Sequence, residues 1–357
     1  MTSLELLFLS AGLASVALSW VLPGRAGEAA VMLVAGAALL VVAPLSLGWL
    51  LGGSFLVLLA IWMGERIVRR DLVVLCVAPV LVAAFLATRF ENVFLWIGGA
   101  YFTLRLLHVL FEWQGERIAA PSLWQMLRYQ FFAPVLLAGP IHRFQNFERE
   151  IARRRWDAGR FYLGLERLLL GLFAYAVIAG PLFDRFRILF VDRPEFGDGF
   201  LAAWVAHAAF WVWLYISFEG LSAIAIGLAL MMGLRIEENF NRPWAARHLA
   251  DFWTRWHMTL THWCRDYVFR PVAARTRLPA LAAIASLLTI GIWHDVSAYF
   301  VLWGLWQGIG VSATQYLLRH PVRGVPGPVT AVAGRLSVIL WLSLTAPVIT
   351  ELLGVSP

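Results

Sequence analysis

The sequence predicts an all-α, polytopic membrane protein. Of its 357 residues, 61% are hydrophobic and only 14% are charged. Mean hydropathy is +0.73. The apolar residues also fall into runs of membrane-spanning length, separated by short arginine-bearing segments. A soluble domain carries about 25% charged residues, so much of this surface must face something other than water. No polar stretch is long enough to form a soluble domain, and residues 1–357 read as a single membrane-embedded domain. The 18 tryptophans and 24 phenylalanines agree, because aromatic rings favour packed helices and the membrane interface.

A spanning helix needs about 20 apolar residues. Leu4–Leu22 is the first candidate; with Glu5 the only charge before Arg25, it reads as a retained helix and not a signal peptide. Ala29–Met63 is too long for one crossing, and Pro44, Gly48, Gly52 and Gly53 offer places to divide it. Leu72–Ala87 and Val93–Phe111 follow. With Arg25 and the Arg66–Arg70 cluster on the cytoplasmic side, the N-terminus lies outside, and the alternation holds as far as Arg117. Tyr129–Ile141 is short, holds Pro134, Gly139 and Pro140, and has arginines at both ends, a pattern that predicts a re-entrant segment. Phe161–Leu182 spans next. Leu201–Leu234 is long enough for two crossings, with a break expected around Ser217–Gly220. Arg235–Arg277 mixes charged residues with four tryptophans and should lie at the interface or inside the protein body. Leu278–Leu318 and Val329–Leu353 complete the apolar stretches.

The net charge is +7, and all 29 basic residues are arginine. Without lysine there is no Schiff-base chemistry and no lysine general base. The arginines sit in short clusters between apolar runs, as positive-inside signals do, so nucleic acid is disfavoured as a partner and the lipid bilayer is favoured. Cys76 and Cys264 suggest neither a disulfide framework nor a metal site. None of the eight histidines forms the i, i+4 pair of a zinc helix with an intervening glutamate, and no metal or bound cofactor is expected. No glycine-rich phosphate loop or Gly-x-Ser-x-Gly elbow occurs.

His294 is the strongest candidate for chemistry, as a titratable group in a long apolar run that ends Thr289-Ile-Gly-Ile-Trp-His294. Such a histidine either hydrogen-bonds a neighbouring helix or acts as a general base near neutral pH. Desolvation there would lower its pKa and keep it neutral. Asp295 is adjacent, but neighbouring helical positions point about 100° apart, so it is not expected to orient His294. His257 lies in Asp251–Asp266, where helical spacing would put Trp253, His257, Thr261 and Cys264 on one face. That pattern fits an interfacial amphipathic helix as well as a site. Gly304-Leu-Trp-Gln-Gly308 has the small-xxx-small spacing of close helix packing.

Five ordered stretches resemble the membrane-bound O-acyltransferase family, in its bacterial branch. They are Gly99-Ala-Tyr-Phe-Thr-Leu-Arg105, Phe132–Arg143 with its Gly139-Pro-Ile core, Gly171-Leu-Phe-Ala-Tyr175, Ala225-Ile-Gly227 through Glu238-Asn-Phe-Asn-Arg-Pro243, and Phe252–Leu260 with Trp293-His294. Together they cover roughly residues 95–310. The resemblance implies a bundle of transmembrane and re-entrant helices around a central funnel, with His294 as the catalytic histidine and His257 as its companion. Trp256, Trp293, Asn239, Asn241, Arg265 and Asp266 are the candidate substrate-binding or site-supporting residues.

It further implies an acyl thioester donor used as substrate, acetyl-CoA or a phosphopantetheine carrier, arriving from the cytoplasm. The acceptor would be a hydroxyl of an extracytoplasmic glycan or envelope polymer, and a periplasmic acyltransferase partner or an acyl carrier protein could assist. The location implied is the bacterial inner membrane. Departures are visible: the family's Asp-Phe-Ser-Gly-Tyr-Ser-Asp stretch reads Ser217-Phe-Glu-Gly-Leu-Ser-Ala223, losing both aspartates, and Asp295 and Gln307 replace a common glycine and histidine. D-alanyl transfer from a carrier protein, or a non-enzymatic transporter or scaffold, are the alternatives. The absence of an internal repeat weighs against a transporter.

The loop Arg143–Arg160 is the densest short arginine cluster and is expected to be cytoplasmic. A single cysteine placed there, in a background lacking Cys76 and Cys264, should be shielded from an impermeant thiol reagent in intact cells. Labelling without permeabilisation would invert the topology.

Overall fold

The computed structural model describes residues 2–90, 98–137, 139–192, 199–320 and 327–354, and among them all regular structure is helical. Seven helical segments in this set are long and apolar enough to cross a membrane. Together with the composition, they make this a multi-pass membrane protein. The contacts group the chain into two compact units, Met1–Leu172 with Leu221–Glu237, and Phe173–Gly220 with Glu238–Pro357.

In the first unit, α1 (Ser3–Val21) opens on a capping box in which Thr2 and Glu5 satisfy each other's backbone N–H groups. The long apolar run that follows divides at Pro44, which begins α3 (Pro44–Arg66) directly after α2 (Gly24–Val42), as its missing N–H favours. Next comes α4 (Arg70–Phe90). The expected span over 93–111 falls only partly within the described residues. Residues 93–97 lie outside the described set, and α5 (Gly99–Gln114) has 16 residues, short of a full crossing.

Residues 129–141 carry the end of α6 (Leu123–Gln130) and one 3₁₀ turn, a path too short and irregular to span. A partly buried ion network ties α6 to its surroundings: Arg128 pairs with Glu28 of α2 at 3.1 Å and with Glu148 of α7 (Phe144–Ala152) at 2.5 Å. The arginines read as topology signals have a second task. Arg154 donates to the carbonyl of Met232 at 2.8 Å and Arg160 to that of Gly233 at 2.6 Å, closing the C-terminus of the helix that ends at Met231, where orphan carbonyls and the dipole favour cations.

The helix α8 (Ala158–Val191) is continuous apart from a kink at Gly180 and Pro181. α9 (Phe200–Met231) overturns an expectation. The break predicted around Ser217–Gly220 does not occur, and 32 residues form one helix, about 48 Å at 1.5 Å per residue. No proline interrupts it, and Ser217 Oγ bonds back to the carbonyl of Leu214 within the helix. Its glycine at 227 serves close packing, since a Cβ there would meet the Gly164 carbonyl oxygen at 2.7 Å.

In the second unit, 243–276 is a succession of short turns: a 3₁₀ turn at Pro243–Ala245, α10 (Leu249–Trp253), α11 (Met258–Cys264), a π turn at Arg265–Phe269, and α12 (Arg270–Thr276). A tight hairpin follows, α13 (Pro279–His294) against α14 (Ala298–Arg319). α15 (Gly327–Ser343) and α16 (Thr345–Leu353) complete the unit.

The hairpin packs backbone to backbone along the glycines the sequence marked. A Cβ at Gly304 would lie 2.7 Å from Leu288 Cα, and one at Gly308 would lie 2.6 Å from Ile284 Cα. Gly308→Val should therefore overpack the seam, at about 1–3 kcal/mol, and lower the melting temperature of the purified protein. Gly48→Ala, which meets nothing within 4 Å, is the matched control and should melt no lower than wild type. Equal melting of the two variants would show that the seam tolerates bulk.

Candidate active site

The second unit brings His257, His294, Asn239, Trp256 and Trp293 together. His257 does not sit on the continuous amphipathic helix expected from its spacing. Helix α10 ends at Trp253, and His257 itself is the N-cap of α11 with φ 41° and ψ 52°, in the left-handed region. The four residues proposed for one face therefore span a chain reversal. A non-glycine residue held there costs about 1–3 kcal/mol, and such strain persists only where the surroundings over-determine it.

Those surroundings come from the irregular segment Glu238–Pro243. Met258 N–H donates to the Asn239 carbonyl at 2.8 Å, and Asn241 N–H donates to the Arg255 carbonyl at 2.9 Å, pinning the turn on both sides of His257. The Asn239 side chain is fully buried. Its Oδ1 accepts from Thr259 Oγ1 at 2.6 Å and lies 3.3 Å from His257 Nδ1. An amide oxygen only accepts, so this contact assigns the imidazole proton to Nδ1 and leaves the lone pair on Nε2. Upstream, Asp251 accepts from the Arg247 N–H and from Arg255 Nε, which holds the chain entering the turn.

His257 is 3% exposed. Burial, and then the nearby His294, push its pKa down to about 3, so it is a neutral imidazole at physiological pH. The ring of Phe218 meets it edge-on at 4.8 Å and that of Trp293 at 6.1 Å. Trp256, also buried, packs against Trp211, Phe240 and Phe252.

His294 departs from expectation in the opposite sense. It is the last residue of α13 and is exposed, because Asp295 turns the chain to an extended conformation before Ser297 caps α14. Of the two histidines, His257 is the buried one. The His294 ring stacks on Phe300 at 5.6 Å and meets Trp303 at 5.8 Å, while Trp293 lies 4.8 Å away. Trp293 thus lies in ring contact with both histidines.

Arg265 and Asp266 form an ion pair at 3.1 Å that Arg270 extends at 3.0 Å. Asn241 is exposed and contributes through its backbone. Phe218, Thr259, Phe300 and Trp303 were not among the residues singled out from sequence. Phe218 had a signal, since it occupies the aromatic position of the stretch that lost its aspartates. Phe300 and Trp303 had none beyond their place after His294.

The arrangement is an accessible imidazole beside a buried, neutral one, both walled by aromatic rings, which suits proton transfer in a site of low polarity. Residues 72–343 match the profile of MBOAT, the membrane-bound O-acyltransferase family, and the chain belongs to that family. Among its relatives, "Probable alginate O-acetylase AlgI" of Pseudomonas aeruginosa is 29% identical over 261 residues, covering 71% of this chain and 49% of that protein. "Teichoic acid D-alanyltransferase" of Streptococcus thermophilus is 26% identical over 62% of this chain and 57% of its own length. "Peptidoglycan O-acetyltransferase" of Helicobacter pylori is 30% identical over 54% of this chain and 38% of its own. The chain spans about half the length of the curated relatives it matches.

Asn239→Leu removes the acceptor shared by His257 and Thr259 and should cost about 1–3 kcal/mol of stability. It should also release the His257 tautomer, read by isotope-labelled histidine NMR as loss of the Nδ1-protonated form. An unchanged tautomer would show that Asn239 does not set it.

Proposed function

We propose that this protein is an O-acyltransferase that moves an acyl group, most simply acetyl, from a cytoplasmic thioester to a hydroxyl of an extracytoplasmic glycan or envelope polymer. The observation that carries the reading is the exposed His294 beside the buried, neutral His257, at the two positions where the sequence matches the family's histidine motifs. The relatives named for alginate and peptidoglycan O-acetylation support acetyl transfer to a glycan. We assign the protein to the bacterial inner membrane, where a donor from the cytoplasm and an acceptor from outside reach one membrane-embedded site.

In this mechanism His294 takes the proton of the acceptor hydroxyl as its oxygen attacks the thioester carbonyl. The C–O bond forms, the C–S bond breaks, and the proton passes to the leaving thiolate, which departs as a thiol. His257, its proton held at Nδ1 by Asn239, presents Nε2 and is a positioning or charge-stabilising group. Being buried, it is the poorer of the two candidates for direct exchange with solvent. Trp293, Phe300 and Trp303 exclude water that would otherwise hydrolyse the thioester. Donor candidates are acetyl-CoA and a phosphopantetheine carrier. A periplasmic or surface partner would assist the transfer on the acceptor side.

Purified protein in proteoliposomes should transfer labelled acetyl from acetyl-CoA on one side to a glycan acceptor on the other. His294→Ala should reduce this to background with insertion unchanged, and a general base accounts for about 10²–10⁴-fold. His257→Ala should retain measurable turnover. Wild-type rates in His294→Ala would overturn its role. Inert acetyl-CoA with activity restored by an acyl-loaded carrier protein would move the assignment to the D-alanyl type of transfer.

A further inference from the structure

In the second unit, away from His257 and His294 along the chain, a crevice of about 390 Å³ opens between the end of α8 and the N-terminal half of α9. Its walls carry Phe183, Phe210 and Trp213 together with Asp184, Arg187 and Asp192. Both helices are long and apolar enough to cross a membrane. The apolar part of α8 gives way to charge at Asp184, Arg185 and Arg187, which places this end at headgroup depth. Around the crevice, Phe186, Ile188 and Phe190 are 46%, 63% and 58% exposed, and Val212 is 54% exposed, so its flanks face lipid. What reaches it from the side is the bilayer.

We propose that this crevice is a binding site for the headgroup of a zwitterionic, ammonium-bearing phospholipid of the phosphatidylethanolamine type. Among the described lining residues, two carboxylates stand against one guanidinium, a formal charge of −1 that disfavours an anionic headgroup. An ammonium group is attracted both to the carboxylates and to aromatic faces, and here the Phe210 and Trp213 rings lie 5.7 Å apart on successive turns of α9. The phosphate has its own partner. Arg187 pairs with Asp192 through Nε at 3.4 Å with both side chains half-exposed, and a five-donor guanidinium has capacity beyond that single bond. The chain at Arg187–Val191 is π-helical, a geometry frequent at functional sites.

The test uses the full-length protein in nanodiscs containing equal amounts of phosphatidylethanolamine and phosphatidylglycerol, with retained lipid identified by native mass spectrometry. Wild type should retain phosphatidylethanolamine with roughly tenfold preference, equivalent to about 1.4 kcal/mol. Asp184→Asn combined with Asp192→Asn should bring the ratio towards one. Phe210→Ala, a substitution at a 43% exposed ring that leaves all charges in place, should lower it in the same direction. No preference in wild type, or a preference for phosphatidylglycerol, overturns the proposal. An undiminished preference in both variants places the bound lipid elsewhere and overturns it equally.

Discussion

The candidate site depends on the close approach of α13 and α14. Small residues let two helix backbones touch, and in a lipid environment that packing replaces the hydrophobic drive that would hold helices together in water. Gly304 and Gly308 form the seam, and a Cβ at Gly291 would run into the Phe300 carbonyl oxygen. Three residues after Gly291, α13 ends on His294, where Asp295 becomes extended. Phe300 and Trp303, on the first turns of α14, are then carried back against the imidazole. Larger residues at these glycines would separate the helices and with them the aromatic wall.

The second constraint is the accounting of polar groups in a segment that neither spans nor forms long helices. Irregular backbone in a membrane protein is stable only where its N–H and C=O groups find partners. Residues 239–258 achieve this by pairing with themselves: Asn239 and Asn241 bond to Met258 and Arg255 through their backbones. The Asn239 amide then takes Thr259 and His257. His257, like Arg242 in the same segment, is held in the left-handed region, and the bonds on either side of His257 hold it there. Strain and orientation are thus one feature, since the turn that costs energy is also what aims the imidazole.

Charge plays a similar double part in the first unit. Arginines that a hydropathy reading assigns to topology also close the C-terminus of α9 and bridge α2, α6 and α7 through Glu28 and Glu148. Lysine would serve positive-inside retention equally well but could not make the bidentate contacts of Arg128 with two carboxylates.

By itself the sequence determined the helical, membrane-embedded class, the division of the long run at Pro44, and the positions of His257 and His294. These follow from composition, from the missing N–H of proline, and from motif order, all of which are local in the chain. It also marked Asn239, Trp256, Trp293 and the Gly304–Gly308 spacing. Only the tertiary structure decided that α9 runs unbroken, that α10 stops at Trp253, and that His257 is the buried histidine while His294 is the exposed one. Periodicity cannot report a left-handed residue, because one reversed φ moves every later side chain to another face without altering the spacing of residue types. Burial is likewise a property of the neighbours that the fold supplies. Phe218, Phe300 and Trp303 are far from His257 in the chain, and their part in the site arises only when the helices that carry them are packed.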